Sequence, residues 1–168
     1  LLKPDQSVTI NLGEGMEPID AKLSYLSPFS AEGSQTMLAR AVVPNPAGQW
    51  NLRVQVMHWR GDTVTGGRLA LETLEKARIA LANCHLTAPQ VSPSITTSDA
   101  QRFAAVVSDP GSRAMHAYLR ADPGNSTLVE VVLWTTLPAQ VEWPAVSDAQ
   151  VFDAMAGPLC AAYLGSCR

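Results

Sequence analysis

The stretch WNLRVQVMHW, residues 50–59, alternates apolar and polar side chains and ends on a tryptophan. The stretch TLVEVVLW, residues 127–134, nearly repeats this pattern. Alternation over this length is typical of a β-strand with one buried face, because successive side chains of a strand point to opposite sides. A turn signal precedes each stretch and an apolar helical pattern follows it, which indicates that one unit is written twice.

The first unit contains three predicted strands and a helix. Alternation predicts strands at residues 21–27, 36–43 and 52–59. The prolines and glycine of residues 44–49 favour a tight reversal between the last two. Apolar residues then recur at helical spacing within residues 68–83: Leu71, Leu74, Ala77 and Leu81.

The second unit follows the same order. Predicted strands lie at residues 101–108, 113–121 and 127–134, with Pro-Gly turns between them. Ser147 with Gln150 three residues later forms a capping-box pattern, which predicts the start of a second helix. Gly157 and Pro158 interrupt that helix and predict a kink or two short helices.

We therefore predict an α+β fold made by tandem βββα duplication. Two three-stranded antiparallel units, each followed by a helix, are related by a pseudo-twofold axis and form one domain over residues 1–168. The first repeat covers about residues 20–84, a linker rich in Pro, Ser and Thr covers 85–98, and the second repeat covers 99–168. The alternative is that any antiparallel protein generates alternating strands and Pro-Gly turns by chance.

Parts of the first half resemble a known family. AKLSYLSP (21–28) and LARAVVPNPAGQW (38–50) are similar to the barrel region of the periplasmic adaptor proteins of efflux systems, and GDTVTGGRLA (61–70) looks like their lipoyl half-motif. In that family the lipoyl motif precedes the barrel, whereas here it follows, and the second half has no counterpart. The internal repeat accounts for both halves, so we prefer it to this family.

Composition and charge argue against several classes of binding partner. Hydrophobic residues make up 46% of the chain and charged residues 16%, below the usual quarter of a soluble domain. The net charge of −3 comes from mixed signs without a run of either, which argues against binding to nucleic acid or to an anionic membrane surface. No stretch approaches the ~18 apolar residues of a membrane span. The chain begins at Leu1, so we expect that a signal peptide, an anchor or another segment precedes it.

The sequence offers no motif for catalysis, cofactor binding or metal binding. His58, His85 and His116 show none of the spacings that bring zinc ligands together. The glycines of residues 11–18 lack the third glycine of a dinucleotide-binding loop. We therefore predict a protein that is not an enzyme and has no cofactor. An enzyme remains the third possibility if His58, His116 and Asp62 converge in the fold.

Three cysteines predict a disulfide without fixing its connectivity. Cys84 follows the first predicted helix, Cys160 lies within the second, and Cys167 lies just beyond it. Cys84 bonds either of the other two, or a helix that turns back at Gly165 brings Cys160 near Cys167. With the scarce lysine and the Ser, Thr and Pro-rich connectors, these cysteines favour an extracytoplasmic setting: secreted, periplasmic or in the cell envelope.

Aromatic residues at strand ends mark a candidate groove. Large rings there usually close a core, but a ligand or partner groove lined by His58, Trp59 and Trp134 is the alternative. The leading hypothesis is a non-enzymatic, bacterial-type extracytoplasmic domain, secreted or membrane-anchored, that is a monomer or homodimer. It binds a partner protein or an apolar small molecule. The second hypothesis is an intracellular adaptor or chaperone-like interaction domain with three free thiols.

Overall fold

The structure, a computed structural model, describes residues 7–31, 34–45 and 49–162, with the backbone alone for residues 25–31, 34–35 and 157–162. Within these residues the chain forms nine strands and two α-helices, joined in part by short 3-10 turns at Cys84–Leu86 and Pro123–Asn125. The strands are β1 Ser7–Ile10, β2 Ile19–Lys22, β3 Ser24–Ala31, β4 Ser34–Val43, β5 Asn51–Trp59, β6 Ser92–Ser98, β7 Arg102–Asp109, β8 Arg113–Asp122 and β9 Thr127–Thr136; the helices are α1 Thr63–Ala82 and α2 Asp148–Ala162.

Seven strands form one continuous antiparallel sheet in the order β3-β4-β5-β9-β8-β7-β6, and β1 pairs with β2 in a separate hairpin. The alternating stretches 50–59 and 127–134, which form β5 and most of β9, are neighbours at the centre of this sheet. Asn51 lies opposite Trp134 at one end of the pair, and His58 lies opposite Thr127 at the other. Because β5 and β9 are neighbours, the two halves of the chain share one sheet.

The two faces of the sheet carry separate cores. Alternation along β5 sends Met57 and Trp59 to the face under α1, and Leu52, Val54 and Val56 to the opposite face. The α1 face buries Trp59, Ala70, Leu74, Phe103, Leu119 and Leu128. The opposite face, under α2 and the β1–β2 hairpin, buries Ile10, Leu52, Tyr118, Leu133, Phe152 and Met155. The sheet is therefore the middle layer of the molecule.

The predicted fold of two βββα units is wrong. The described residues are mostly sheet, with nine strands instead of six, and the two helices pack on opposite faces of that sheet. A twofold axis that relates the antiparallel neighbours β5 and β9 runs perpendicular to the sheet, so it would keep both helices on one face. The arrangement of α1 and α2 breaks the predicted symmetry.

The strands that the sequence argument missed are short or lie at an edge. Residues 85–98, predicted as a linker, contain a 3-10 turn and the edge strand β6. Most β6 side chains are exposed, and Pro93 lies near the start of the strand, so neither a buried alternating face nor a continuous run marks it. The hairpin strands β1 and β2 have 4 residues each, too few for a clear period.

Helix α1 begins earlier than predicted. It starts at Thr63 instead of residue 68, because the Asp62 side chain accepts a hydrogen bond from the Thr65 backbone N–H at 2.8 Å. This cap places the two adjacent glycines, Gly66 and Gly67, inside the helix. The predicted helix had left this pair outside it.

The predicted capping box of α2 is confirmed. The Ser147 backbone N–H donates to Gln150 Oε1 at 2.8 Å, and the Gln150 backbone N–H donates to Ser147 Oγ at 3.3 Å. The helix then continues as one element to Ala162, through Gly157 and Pro158, so the prediction of two short helices is wrong.

Candidate functional site

The structure separates the three residues predicted to line a groove. Trp59 lies on the α1 face, 7% exposed, in the core under the helix. His58, its neighbour, points to the other face, where its Nδ1 lies 3.1 Å from Thr127 Oγ1. Trp134 shares the face of Trp59, but it pairs with Asn51, eight positions further along β5 or about 27 Å away. The fold brings His58 and Trp59 to one end of the sheet and Trp134 to the other.

A contact between backbones positions the surface next to Trp59. A Cβ atom on Gly67 would lie 2.4 Å from the Pro123 carbonyl oxygen, and one on Gly66 would lie 2.4 Å from Ser126 Oγ. Only glycine lets the first turns of α1 rest directly on the turn between β8 and β9. The two glycines therefore fix the height of the helix over this end of the sheet.

An open depression of about 450 Å³ runs along the outer side of this junction; we call it the α1 depression. Its walls are mostly apolar and belong to α1 on one side and to the β8–β9 turn on the other. The lining residues are Thr63, Val64, Gly67, Arg68, Leu71, Pro123 and Gly124. Val64, although apolar, is 79% exposed. The turn residues are held in place because Asp122 caps them, accepting from the Asn125 backbone N–H at 3.3 Å.

The electrostatics of the α1 depression favour binding over proton transfer. Arg68 is the one ionisable residue in the lining, and it pairs with Glu72 one helical turn away. Both side chains are more than 40% exposed, so the pair adds little stability. Asp62 lies just before the helix, where hydrogen bonds from the Thr65 hydroxyl and backbone N–H lower the pKa of its carboxyl. The depression holds no acid-base pair, and its chemistry is that of an apolar contact surface.

A second cluster, of aromatic rings, lies on the opposite face of the sheet. The Trp143 ring stacks on the His116 ring with centroids 3.6 Å apart and planes 6° from parallel, and Trp50 meets both rings edge-on. The Trp50 Nε1–H donates to the Val141 carbonyl at 2.8 Å. These contacts fasten the connection between β9 and α2 to the sheet, which is the core-closing role expected of most rings at strand ends.

Asp148 fastens α2 next to this cluster. Its Oδ2 accepts a hydrogen bond from Thr97 Oγ1 at 2.5 Å, and its carboxylate is also hydrogen-bonded to Tyr118. Burial, and then the charge and hydrogen bond of Asp148, raise the pKa of Tyr118 above its ordinary value. Asp148 thus connects the first turn of α2 to β6 and β8, and the packed rings around it indicate a structural contact.

The residues considered for an enzyme do not converge. His58 pairs across the sheet with Thr127, and His116 pairs with Leu133, which puts them about 20 Å apart along the strands. Asp62 caps α1. In the part of the chain that the structure describes, no group of three or more His, Cys, Asp or Glu side chains is placed to bind a metal ion.

The residues of the α1 depression were not predicted from the sequence. Val64, Leu71 and Pro123 belong to a helix and a turn that are far apart in the chain. The sequence feature that points to them is the pair of glycines after Thr65. Once this segment is known to be helical, two adjacent glycines indicate that another part of the backbone packs closely against the helix. The partner of that approach, the Pro123 carbonyl, emerges only from the fold.

None of the helices in the described residues is long and apolar enough to cross a membrane. Cys84, which two of the predicted pairings use, is half-buried and free, while the side chains of Cys160 and Cys167 lie outside the described residues. The disulfide and its connectivity both stay predictions. Comparisons of the chain with protein-family models, with curated proteins and with solved structures found no match.

Proposed function

We propose that the protein is a non-enzymatic binding domain that receives an apolar side chain of a partner protein in the α1 depression. The observation that carries the proposal is Val64, an apolar side chain 79% exposed beside the apolar walls of Leu71 and Pro123. Exposed apolar surface beside a concave wall is a common feature of interaction sites, because a partner removes that surface from water.

The shape of the α1 depression favours a protein partner over a free small molecule. Sites for small molecules usually bury 70–90% or more of the ligand. This depression is an open groove on the helix surface, and seven residues line it. A protein can cover the groove with surrounding contacts while one apolar side chain fills it, as in interfaces built around a central anchor.

Site-specific crosslinking in the native host tests this proposal. A photoreactive amino acid at Val64 should give one discrete crosslinked species, since the partner covers this position. The same amino acid at Lys76, also exposed on α1, is the matched control and should give none. Adding Leu71→Asp to the Val64 derivative should remove the species, provided that far-UV circular dichroism shows a folded chain. Equal crosslinking at both positions, or a species that survives Leu71→Asp, would contradict the proposal.

We also propose that the protein works outside the cytoplasm. The low charge of 16%, the Ser, Thr and Pro-rich connections and the three cysteines support this setting. The alternative is an intracellular adaptor or chaperone-like domain that uses the same apolar surface. The two proposals differ in thiol chemistry, because a reducing compartment keeps all three cysteines as thiols.

Intact mass spectrometry of protein purified from the native host separates these proposals. We expect that reduction adds the mass of two hydrogen atoms and that alkylation before reduction modifies one thiol, as one disulfide requires. Alkylation of all three thiols without reduction would instead support the intracellular alternative. A Cys84→Ser variant then shows whether Cys84 belongs to the bond, since its loss frees a second thiol only in that case.

A further inference from the structure

A row of apolar side chains crosses the α1 face beyond the area that the helix covers. Trp134, Met115 and Val107 are adjacent across β9, β8 and β7, and each is partly buried, while the polar Asn51 lies opposite Trp134 on β5. Val42 and Ile95, 54% and 50% exposed, lie near the two ends of the row. We call these five apolar residues the Trp134 strip. Sheet faces that remain in water usually present polar side chains, so an apolar row here indicates a surface that is covered in the working protein.

The register shows why α1 does not cover the strip. The buried core under α1 uses Trp59, Leu128 and Phe103, which lie towards the end of the strands near the β8–β9 turn. Trp134 follows Leu128 by six positions along β9, about 20 Å further from that end. The strip thus runs beside the area under α1 across the same strands.

The dimensions of the strip fit a helix. Helix α1 stands on the same face, and a helix that packs on a sheet adds a layer about 10 Å thick. A second sheet wider than the strip would meet α1, whereas a single helix placed beside α1 completes the layer. The span from β4 to β6 on this face crosses six strands, about 24 Å, which roughly 16 helical residues would cover.

The charged residues beside the strip indicate which side chains that helix should carry. Arg40 on β4 and Arg113 on β8 are exposed on the same face as Trp134. Arg53 is already paired with Glu130 at 2.7 Å, while Arg40 donates from Nε to the neutral amide oxygen of Gln55 at 2.6 Å. Asp109 lies opposite Arg113 on the same face, so this surface holds three arginines against the two carboxylates of Glu130 and Asp109. Its charge balance is positive on a chain of net charge −3, which favours a partner with carboxylates.

We propose that the Trp134 strip docks an amphipathic α-helix of a partner protein, whose apolar ridge lies on Trp134 and Met115 and whose acidic residues face Arg40 and Arg113. This inference goes beyond the α1 depression, because it uses a separate surface on the other side of α1. Because the two surfaces share no residue, a negative result for one proposal leaves the other unaffected.

Two synthetic 18-residue helices test this proposal. Both carry leucines at positions i, i+3, i+4 and i+7, and one has glutamates and the other lysines beside the leucines. We expect the glutamate peptide to bind the full chain about tenfold more tightly, because only it complements the arginines. Binding should shift tryptophan emission to shorter wavelength, and Trp134→Phe should abolish that shift because the partly exposed Trp134 ring is the reporter.

Charge reversal provides the control. The double variant Arg40→Glu and Arg113→Glu should reverse the preference, so that the lysine peptide binds more tightly. Arg120→Glu, on β8 but on the opposite face, should leave the preference unchanged. Equal binding of both peptides, no binding of either, or an emission shift that persists in Trp134→Phe would overturn the proposal. So would concentration-dependent dimerisation that Trp134→Ser abolishes, because a second copy would then occupy the strip.

Discussion

Replacing Gly67 with alanine should lower the free energy of unfolding by about 3 kcal/mol, although alanine is the better helix former by about 1 kcal/mol. The added Cβ would lie 2.4 Å from the Pro123 carbonyl oxygen and 3.1 Å from the carbonyl carbon. Both atoms belong to backbone, so no side-chain rotation relieves the overlap. The helix must move away from the β8–β9 turn and lose packing over Leu74 and Phe103. Urea unfolding followed by circular dichroism measures the loss.

Gly66 provides the matched comparison, because its two closest neighbours are side-chain atoms and the nearest backbone atom, the Trp59 carbonyl oxygen, would be 3.2 Å away. A Cβ there would meet Ser126 Oγ at 2.4 Å and Ser126 Cβ at 2.6 Å. Ser126→Gly removes both atoms, and its φ of 52° lies in the region that glycine favours. We expect Ser126→Gly to restore most of the stability lost in Gly66→Ala and none of that lost in Gly67→Ala. Equal rescue of both variants would show that the contact with Pro123 does not cause the destabilisation of Gly67→Ala.

Acid should destabilise the protein through His116. Burial lowers the pKa of this imidazole to about 4, against the partial opposing effect of Asp148. Between pH 6.5 and 4 the unfolded chain binds a proton at His116 that the folded chain does not bind. The contribution of the neutral ring to the free energy of unfolding is therefore complete above pH 6.5 and is lost as the pH falls towards 4. Because the ring is partly solvated, we expect this group to lower the free energy of unfolding by about 2 kcal/mol over that pH range.

The variant His116→Phe isolates this contribution, because it keeps a ring against Trp143 and removes the titration. The difference in unfolding free energy between pH 7.5 and pH 4.5 should be smaller in the variant than in the wild type by about 2 kcal/mol. Other titrating groups, including His58, contribute equally to both proteins. An equal difference in the two proteins, or an NMR titration in which folded His116 gains its proton near pH 6.5, would contradict the interpretation.

Most of the paired strands were predictable from the sequence, but their assembly was not. Alternating side chains correctly located β4, β5, β7, β8 and β9 to within two residues, because each has at least one buried face. The stretch 21–27 was read as one strand, whereas the chain there ends β2, passes Leu23 and begins β3. Alternation reports which residues share a face. It does not report which face receives a helix, so the opposite placement of α1 and α2 was missed.

The candidate site was less predictable than the fold. Trp59 and Trp134 were predicted to line one groove as equivalent residues of two repeats about a pseudo-twofold axis, yet antiparallel pairing sends the ends of β5 and β9 to opposite ends of the sheet. The predicted helix began at residue 68, which left both glycines outside it, and glycine disfavours helices locally. The contact with Pro123 outweighs that preference, and such a contact between distant segments leaves no local pattern.

The order of strands also sets when the protein can fold. Partners in β5 and β9 are 69 to 83 positions apart in the chain, and β9 separates β5 from β8. The segment up to α1 therefore pairs β5 with β4 but has no second neighbour for β5, and it has no Leu128 or Phe103 beneath Leu74. Closing such distant pairs is slow, and the apolar residues stay open to aggregation while it happens. During synthesis the sheet is completed only after Thr136 has left the ribosome, so its first half must be kept from aggregating until then.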